Sequence, residues 1–410
     1  MNGLHIGIAG PIMLAPLKPY LEPLRDSPAP LPQGLGGSPV VNLVLELLKR
    51  NRRVTVFSLD SSVDSEVVLQ GERLRICLGP YRARHRARDF FAVERAYLLQ
   101  AMRREKPDIV HAHWTYEFAL AALDSKILNL VTAHDAPLTI LCYQPTAYRF
   151  LRMVMARQAA RRAPFMTSVS EHVARQFTRR LGFRGDMRVI PNPLPEEVFA
   201  STPLNGRAPS DGSAIFATVL TGWSGYKNGA VVLRAFRELR RQLPGARLVM
   251  FGSQYGRGEF AQRWAFSRRL DEGVDFIGSV SYAEMIRRLG EVDFLLHPAR
   301  EESFGMPMAE AMALGIPVIA SAACRGACAI LEGGRLGILV KSYRSGDWAE
   351  AMFRVQTQRE PIRFMVEEAK NSAATRFRSS VVAEAYESSY RHVMGENCKH
   401  NASASHPERA

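Results

Sequence analysis

Short apolar runs alternate with longer stretches whose apolar positions recur at helical spacing, and the alternation is played through twice along the chain. In the first half, β-type runs fall at 4–9, 54–59, 74–78, 109–111, 128–133, 165–169 and 188–190. Helical patterns at 40–49, 91–104, 116–123, 148–161 and 171–181 lie between them. Proline-dense Pro191-Asn-Pro-Leu-Pro195, which continues neither element, and the polar segment 201–212 then interrupt the pattern. It restarts with strands expected at 214–220, 247–251, 274–276, 294–296, 317–320 and 337–340. Helices are expected at 228–241, 260–270, 282–289, 306–314, 348–355, 362–375 and 380–394. Strands alternating with helices over short connections predict an α/β class with parallel sheets. The break sets domains at 1–195 and 196–375, then a last helix within 376–396 and a small, polar, disordered tail over 397–410.

Composition agrees with two soluble domains. At 410 residues the chain exceeds what one core serves, and 47% hydrophobic with 23% charged residues is globular usage. No apolar run approaches the roughly 18 residues a membrane helix needs. Apolar 4–14 has no basic residue ahead of it, so a first strand and its loop explain it better than a signal peptide, and the cytoplasm is the default location. Five cysteines without a Cys-x-x-Cys pair predict neither a metal site nor a disulfide framework. Net charge is +14, with 27 basic against 18 acidic residues in 1–200. Arg82, Arg84, His85, Arg86 and Arg88 crowd beside Phe90 and Phe91. Such a run attracts phosphates or an anionic membrane surface, or is simply a solvated loop. No nucleic-acid-binding motif accompanies it, so nucleic acid is not expected as a partner.

The densest chemistry lies in His297-Pro-Ala-Arg-Glu-Glu-Ser-Phe-Gly-Met-Pro-Met-Ala-Glu310. The run 294–296 ends in a polar loop holding Glu302, a turn follows at Gly305, and a helix is predicted to open near Met306-Pro307. Proline suits that position because the N–H it lacks would be unpaired there. Glu302 and Glu310 therefore bracket a helix N-terminus, whose free donors and about half a positive charge suit a phosphate. Two carboxylates beside a phosphate seat suit a ligand with both phosphates and hydroxyls, such as a nucleotide-sugar. Read singly, Glu302 could cap the helix and Glu310 could be a solvated helix residue.

This segment resembles the Glu-x7-Glu motif of retaining glycosyltransferases of the GT-B fold, the family of many sucrose, mannosyl and lipopolysaccharide transferases. Ser303 departs from it, since glycine is commoner there. The resemblance implies two doubly wound Rossmann-like domains facing a central cleft, with the final helix returning to the first domain. It also implies a nucleotide-diphosphate-sugar donor and no further cofactor. Glu302 would hold sugar hydroxyls, with Ser303, Phe304, Gly305 and Met306 around the phosphates and Glu310 on the ribose.

Further motifs fit the same family. Gln33-Gly-Leu-Gly-Gly-Ser-Pro39 precedes a helix, and its backbone can approach an anion closely at Gly36 and Gly37. The proline-rich stretch 10–32 ahead of it is long enough to shape an acceptor site. Val131-Thr-Ala-His-Asp135 is similar to the family strand whose histidine lies beside the transferred sugar, which assigns His134 and leaves His111 and His113 as packing groups. In Thr221-Gly-Trp-Ser-Gly-Tyr-Lys-Asn-Gly229, Gly222 and Lys227 match a diphosphate-gripping loop. Trp223 stands where the family has arginine, a role Arg300 could take. Phe276-Ile-Gly278 looks like the strand end near the base, which assigns Ile277. Glu302, Lys227 and His134 are thus the expected catalytic residues. No Asp-x-Asp triplet occurs, so no metal is expected on the diphosphate. The expected activity is sugar transfer to a glycan or lipid-linked acceptor in cell-surface polysaccharide synthesis, in the cytoplasm or at the inner face of the cytoplasmic membrane. An epimerase of the same fold and a non-catalytic nucleotide-sugar-binding subunit are the rivals.

Overall fold

Each predicted apolar run becomes a strand in the computed structural model, which describes residues 3–22, 32–200 and 213–404. In chain order the strands are β1 His5–Ala9, β2 Arg53–Asp60, β3 Val67–Gln70, β4 Leu74–Pro80, β5 Ile109–His113, β6 Asn129–Ala133, β7 Phe165–Ser168 and β8 Asp186–Val189. The second series is β9 Ile215–Val219, β10 Arg247–Phe251, β11 Val274–Gly278, β12 Phe294–His297, β13 Val318–Ser321 and β14 Ile338–Val340. Contacts divide the chain into two compact units, residues 1–193 with 379–410 and residues 194–378. The polar segment 201–212, part of the break between the two series, lies outside the described residues, as do 23–31 of the proline-rich stretch.

The first unit holds an eight-stranded sheet in the order β3-β4-β2-β1-β5-β6-β7-β8. All its pairings are parallel except β3 with β4. Buried Ile6, Ile8, Val54, Val56 and Ile76 carry strands on both faces of which side chains are covered, the near-continuous apolar reading of a parallel sheet. The last helix, Ser379–Ala404, packs into this core through Val382, Tyr386, Tyr390 and Val393. Arg50 and Arg52 fix it through Glu387, at 3.3 and 2.7 Å. It continues to Ala404, well past 394, so the stretch from Asn397 to Ala404 is helical rather than a disordered tail; 405–410 lie outside the described residues.

The second unit holds six parallel strands in the order β11-β10-β9-β12-β13-β14. Phe216, Leu248, Met250 and Leu296 from the strands meet Val232, Phe236 and Leu239 of the helix Gly229–Arg240 and Trp348 of the helix Ser345–Thr357 in its core. The order reverses direction between β9 and β12, and doubly wound sheets bind ligands beyond the strand carboxyl ends at such a point. Among the described residues, no helix is long and apolar enough to cross a membrane.

Candidate active site

In the second unit the loops leaving β9 and β12 carry the predicted chemistry, one on each side of the reversal. Lys227 follows β9 and Glu302 follows β12, and the structure joins them: Lys227 Nζ donates to Glu302 Oε1 at 2.6 Å, both side chains largely buried. His297, the last residue of β12, places Nε2 3.4 Å from the same oxygen. Burial alone would raise the Glu302 pKa, but His297 and the Lys227 ammonium outweigh it and hold the carboxyl at about 2. Burial likewise works against a charged Lys227, and Glu302 more than offsets it. The result is a locked ion pair. His297 joins this cluster although the sequence did not assign it; its place at the strand end, five residues before Glu302, was the available signal.

The helix Met306–Ala313 opens as predicted, with Pro307 in its first turn and Gly305 as its cap at φ 100°, a conformation that favours glycine. Phe304 is buried edge-on against Phe377, with ring centres 5.4 Å apart. Ser303 and Met306 are half-buried beside it. Glu310 is not a solvated helix residue: it is 2% exposed. Burial pushes its pKa up to about 7, with Tyr282 of the neighbouring helix Tyr282–Leu289 pulling the other way. Glu302 and Glu310 are thus a matched pair in sequence with opposite electrostatics, one ionised and clamped, the other desolvated.

Gly222 and Trp223 lie at the entrance to the Lys227 loop. The Trp223 ring packs among Tyr255, Phe260 and Trp264 at 5.7, 5.7 and 5.0 Å. Where the family pattern calls for a cation, this chain builds an aromatic cluster. Arg300 is brought to the same loop by its backbone N–H, which donates to the Tyr226 carbonyl at 2.7 Å, while its guanidinium lies 4.3 Å over the Tyr343 ring. Ile277 is half-buried on β11, bridged to Gly256.

In the first unit, Gly36 and Gly37 precede the helix Ser38–Lys49, and His134 follows β6. A side chain at Gly37 would strike the Pro11 carbonyl at 2.2 Å, so the loop is pressed against the β1 end. His134 is tightly held. His113 Nδ1 and His134 Nε2 are 2.8 Å apart, and Trp114 stacks on the His134 ring at 4.3 Å. Burial drives the His134 pKa down to about 3, with Asn192 opposing weakly, so the ring is neutral. Burial and the neighbouring imidazoles lower His113 too. His111 is a packing group as expected, hydrogen-bonded to Tyr390 and Thr132 at 2.8 and 2.6 Å. His113 is not merely that, because it fixes His134. Tyr116 donates to Asp135 at 2.7 Å under the Arg152 guanidinium, 3.5 Å from the ring centre.

The basic run is partly spent inside its own loop. Arg82 binds Asp89 and Glu94, and Arg86 donates to the Arg82 and Ala83 carbonyls while lying over Tyr81. Arg84, His85 and Arg88 remain exposed.

Comparison with known proteins places both units. Residues 211–372 match the model of "Glycosyl transferases group 1", and residues 38–198 match "Glycosyltransferase Family 4". A D-inositol 3-phosphate glycosyltransferase of Nocardioides sp. is 37% identical over 139 residues, 30% of this chain and 30% of that protein. The match therefore spans under a third of that relative's length. The N-acetyl-alpha-D-glucosaminyl L-malate synthase of Bacillus anthracis is 22% identical over 308 residues, covering 72% of this chain and 78% of that protein. Among solved structures, sucrose-phosphate synthase from Thermosynechococcus elongatus superposes with a TM-score of 0.73 at 18% identity, over 96% of this chain and 100% of that one. HepE from Anabaena, in complex with UDP-glucose, gives 0.66 at 16% identity over 95% and 100%. Two family models that between them take up both Rossmann-like units, on the GT-B fold shared with these structures, make this chain a member of the GT-B glycosyltransferases.

Proposed function

We propose that this glycosyltransferase moves a sugar from a nucleoside-diphosphate sugar to its acceptor with retention of anomeric configuration and without a metal ion. The observation that carries the reading is the buried Lys227–Glu302–His297 cluster at the carboxyl ends of β9 and β12, with desolvated Glu310 on the adjoining helix. A diphosphate arriving there would meet the Lys227 ammonium and the N-terminus of the helix Met306–Ala313. A fixed cation at a dry site is worth several kcal/mol of stabilisation for a developing negative charge. As Lys227 turns to the phosphate, Glu302 is released to accept from sugar hydroxyls, and Glu310 accepts from the ribose. Gly222 and Ile277 line the same strand ends, on the phosphate and base sides. Gly36, Gly37 and His134 keep the roles the resemblance implies, and neutral His134 serves as a hydrogen-bonding group rather than a charge. Attack on the face the diphosphate leaves requires no enzymic nucleophile.

HepE in complex with UDP-glucose favours UDP as the nucleotide. The two relatives are named for inositol 3-phosphate and malate, both anions. With the basic first half of the chain they favour an anionic or lipid-linked phosphorylated acceptor, and action at the inner membrane face in surface-polysaccharide assembly. A non-catalytic binding subunit is the second reading, favoured by Trp223 in the arginine position. Incubation with labelled UDP-sugars, an acceptor panel and EDTA decides between them. Transfer with an α-linked product from an α-donor is expected. Tight donor binding without turnover on any acceptor would select the subunit, and absence of donor binding would overturn both.

A further inference from the structure

The second unit has a cavity of about 280 Å3 that none of the assigned chemistry uses. Arg237, Arg240, Arg241 and Arg269 line it, with Glu272 as the sole carboxylate and Pro244 and Leu270 completing the wall. Arg240 is built in: its guanidinium donates to the Ala246 carbonyl at 3.3 Å and to Glu272 at 3.0 Å. It passes so close over Gly273 that a side chain there would meet Nη1 at 1.8 Å. Glu272 is thereby paired with Arg240. Among the described residues, the Arg237, Arg241 and Arg269 side chains make no hydrogen bond or ion pair, and all three are exposed at the rim. Three unpaired guanidiniums around one depression repel each other and raise the local potential, a field that an anion relieves. The guanidinium fork fits phosphate oxygens two at a time.

The place is as informative as the charge. The lining residues immediately precede β10 and β11 or end the helix Gly229–Arg240, so they lie at the amino ends of the parallel strands. Lys227 and Glu302 lie beyond the carboxyl ends, about 17 Å away along a five-residue strand. The helix Gly229–Arg240 starts just after Lys227 and ends in the cavity, a single rigid element with one terminus at each place.

We infer that Arg237, Arg240, Arg241 and Arg269 form a second anion site, which takes a phosphate group and is separate from the donor seat. The cavity, near the small end of ligand sites, suits a phosphate or diphosphate group with little else buried. A soluble phosphate compound and a lipid headgroup share this chemistry, and the assay separates them. Pyrophosphate is titrated against the full chain carrying Lys227→Met, which removes the cation of the donor seat. The thermal midpoint is expected to rise by about 3 °C at a tenfold excess over Kd. Adding Arg237→Gln, Arg241→Gln and Arg269→Gln should abolish the rise while leaving the midpoint without pyrophosphate within about a degree, since these side chains are exposed and unpaired. Sedimentation with phosphatidylglycerol vesicles, competed by pyrophosphate and lost in the triple variant, would assign the phosphate to lipid. Pyrophosphate binding without sedimentation would assign it to a soluble compound. An equal rise in the triple variant, or with sodium chloride at matched ionic strength, would overturn the site. Donor transfer by the otherwise wild-type triple variant reports on the sugar-transfer reading independently.

Discussion

Glu310→Gln should make the protein more stable and less able to bind its donor, and the size of both effects follows from one buried carboxyl. Glu310 is 2% exposed, and its pKa is raised from 4.5 to about 7. Between those values the folded protein keeps a proton that the unfolded chain has released, so stability falls as pH climbs from 4.5 to 7. Above 7 the full penalty applies. At about 1.4 kcal/mol per tenfold change in proton affinity it amounts to roughly 3 kcal/mol. Glutamine has the shape of the protonated acid and cannot ionise, so the variant escapes the penalty. For a unit the size of 194–378, about 2–4 °C per kcal/mol converts this into a gain of roughly 6–12 °C at pH 8.5 and almost none at pH 4.5. The donor side runs the other way. In the proposed donor complex ionised Glu310 would accept from the ribose, and losing a charged acceptor costs about 1.5–3 kcal/mol, or 10- to 150-fold in Kd. Wild-type affinity should accordingly tighten as pH rises through 7. Calorimetric melts at pH 4.5, 6, 7 and 8.5, paired with donor titrations, check both halves. A variant no more stable than wild type at pH 8.5, or a stability gap independent of pH, refutes the reasoning.

Lys227→Met should cost about 2–3 kcal/mol, because it leaves buried Glu302 with only His297 opposite. Adding Glu302→Gln should return most of that loss, a coupling that denaturant melts of the double-mutant cycle measure. Gly326→Ala would put a methyl group 2.3 Å from the Glu302 carbonyl, and moving that loop should lower stability by about 1–3 kcal/mol and weaken donor binding. An unchanged donor Kd would show that the loop does not position Glu302. On the acid side, His134 and His113 are neutral when folded, so the unfolded chain takes up protons that the folded one refuses, and stability present above pH 6.5 is lost as pH falls below it. For the same reason, kcat between pH 5 and 9 should have no limb assignable to His134. A limb near 6.5 that vanishes in His134→Asn would contradict this.

The fold was legible because its signals are local. Every apolar run of the second half sits within two residues of a strand, since a parallel strand covered on both faces must be apolar throughout. β3 is a short apolar run, Val67 to Leu69, closed by Gln70 on an antiparallel edge, where only Leu69 is buried, so it lacks the fully covered character of the parallel strands. The helix Arg325–Ile330 was missed because six residues are too few for periodicity to declare itself. The tail was misread for the opposite reason: Asn397 to Ala404 is polar enough to look disordered, yet it extends a helix already nucleated by Tyr386 and Tyr390 in the core, and elongation requires far less than nucleation.

What sequence reasoning could not supply was the difference between Glu302 and Glu310, identical side chains in one motif. Their chemistry is set by surroundings the motif does not contain: Lys227, 75 residues upstream, holds the first ionised, and burial in the second unit raises the second against the opposing pull of Tyr282. The motif places Glu302 before the helix Met306–Ala313 and Glu310 in its second turn; the company each keeps decides which is a charge and which is an acid. Under the proposed reaction the same logic gives Trp223 a role. With Lys227 locked to Glu302, a diphosphate bound as proposed would gain that cation only by breaking the pair, so binding phosphate and freeing Glu302 for the sugar would be one event. An arginine beside Lys227 would supply an uncommitted charge and let phosphate bind without releasing Glu302. The aromatic cluster at that position would keep the two steps coupled.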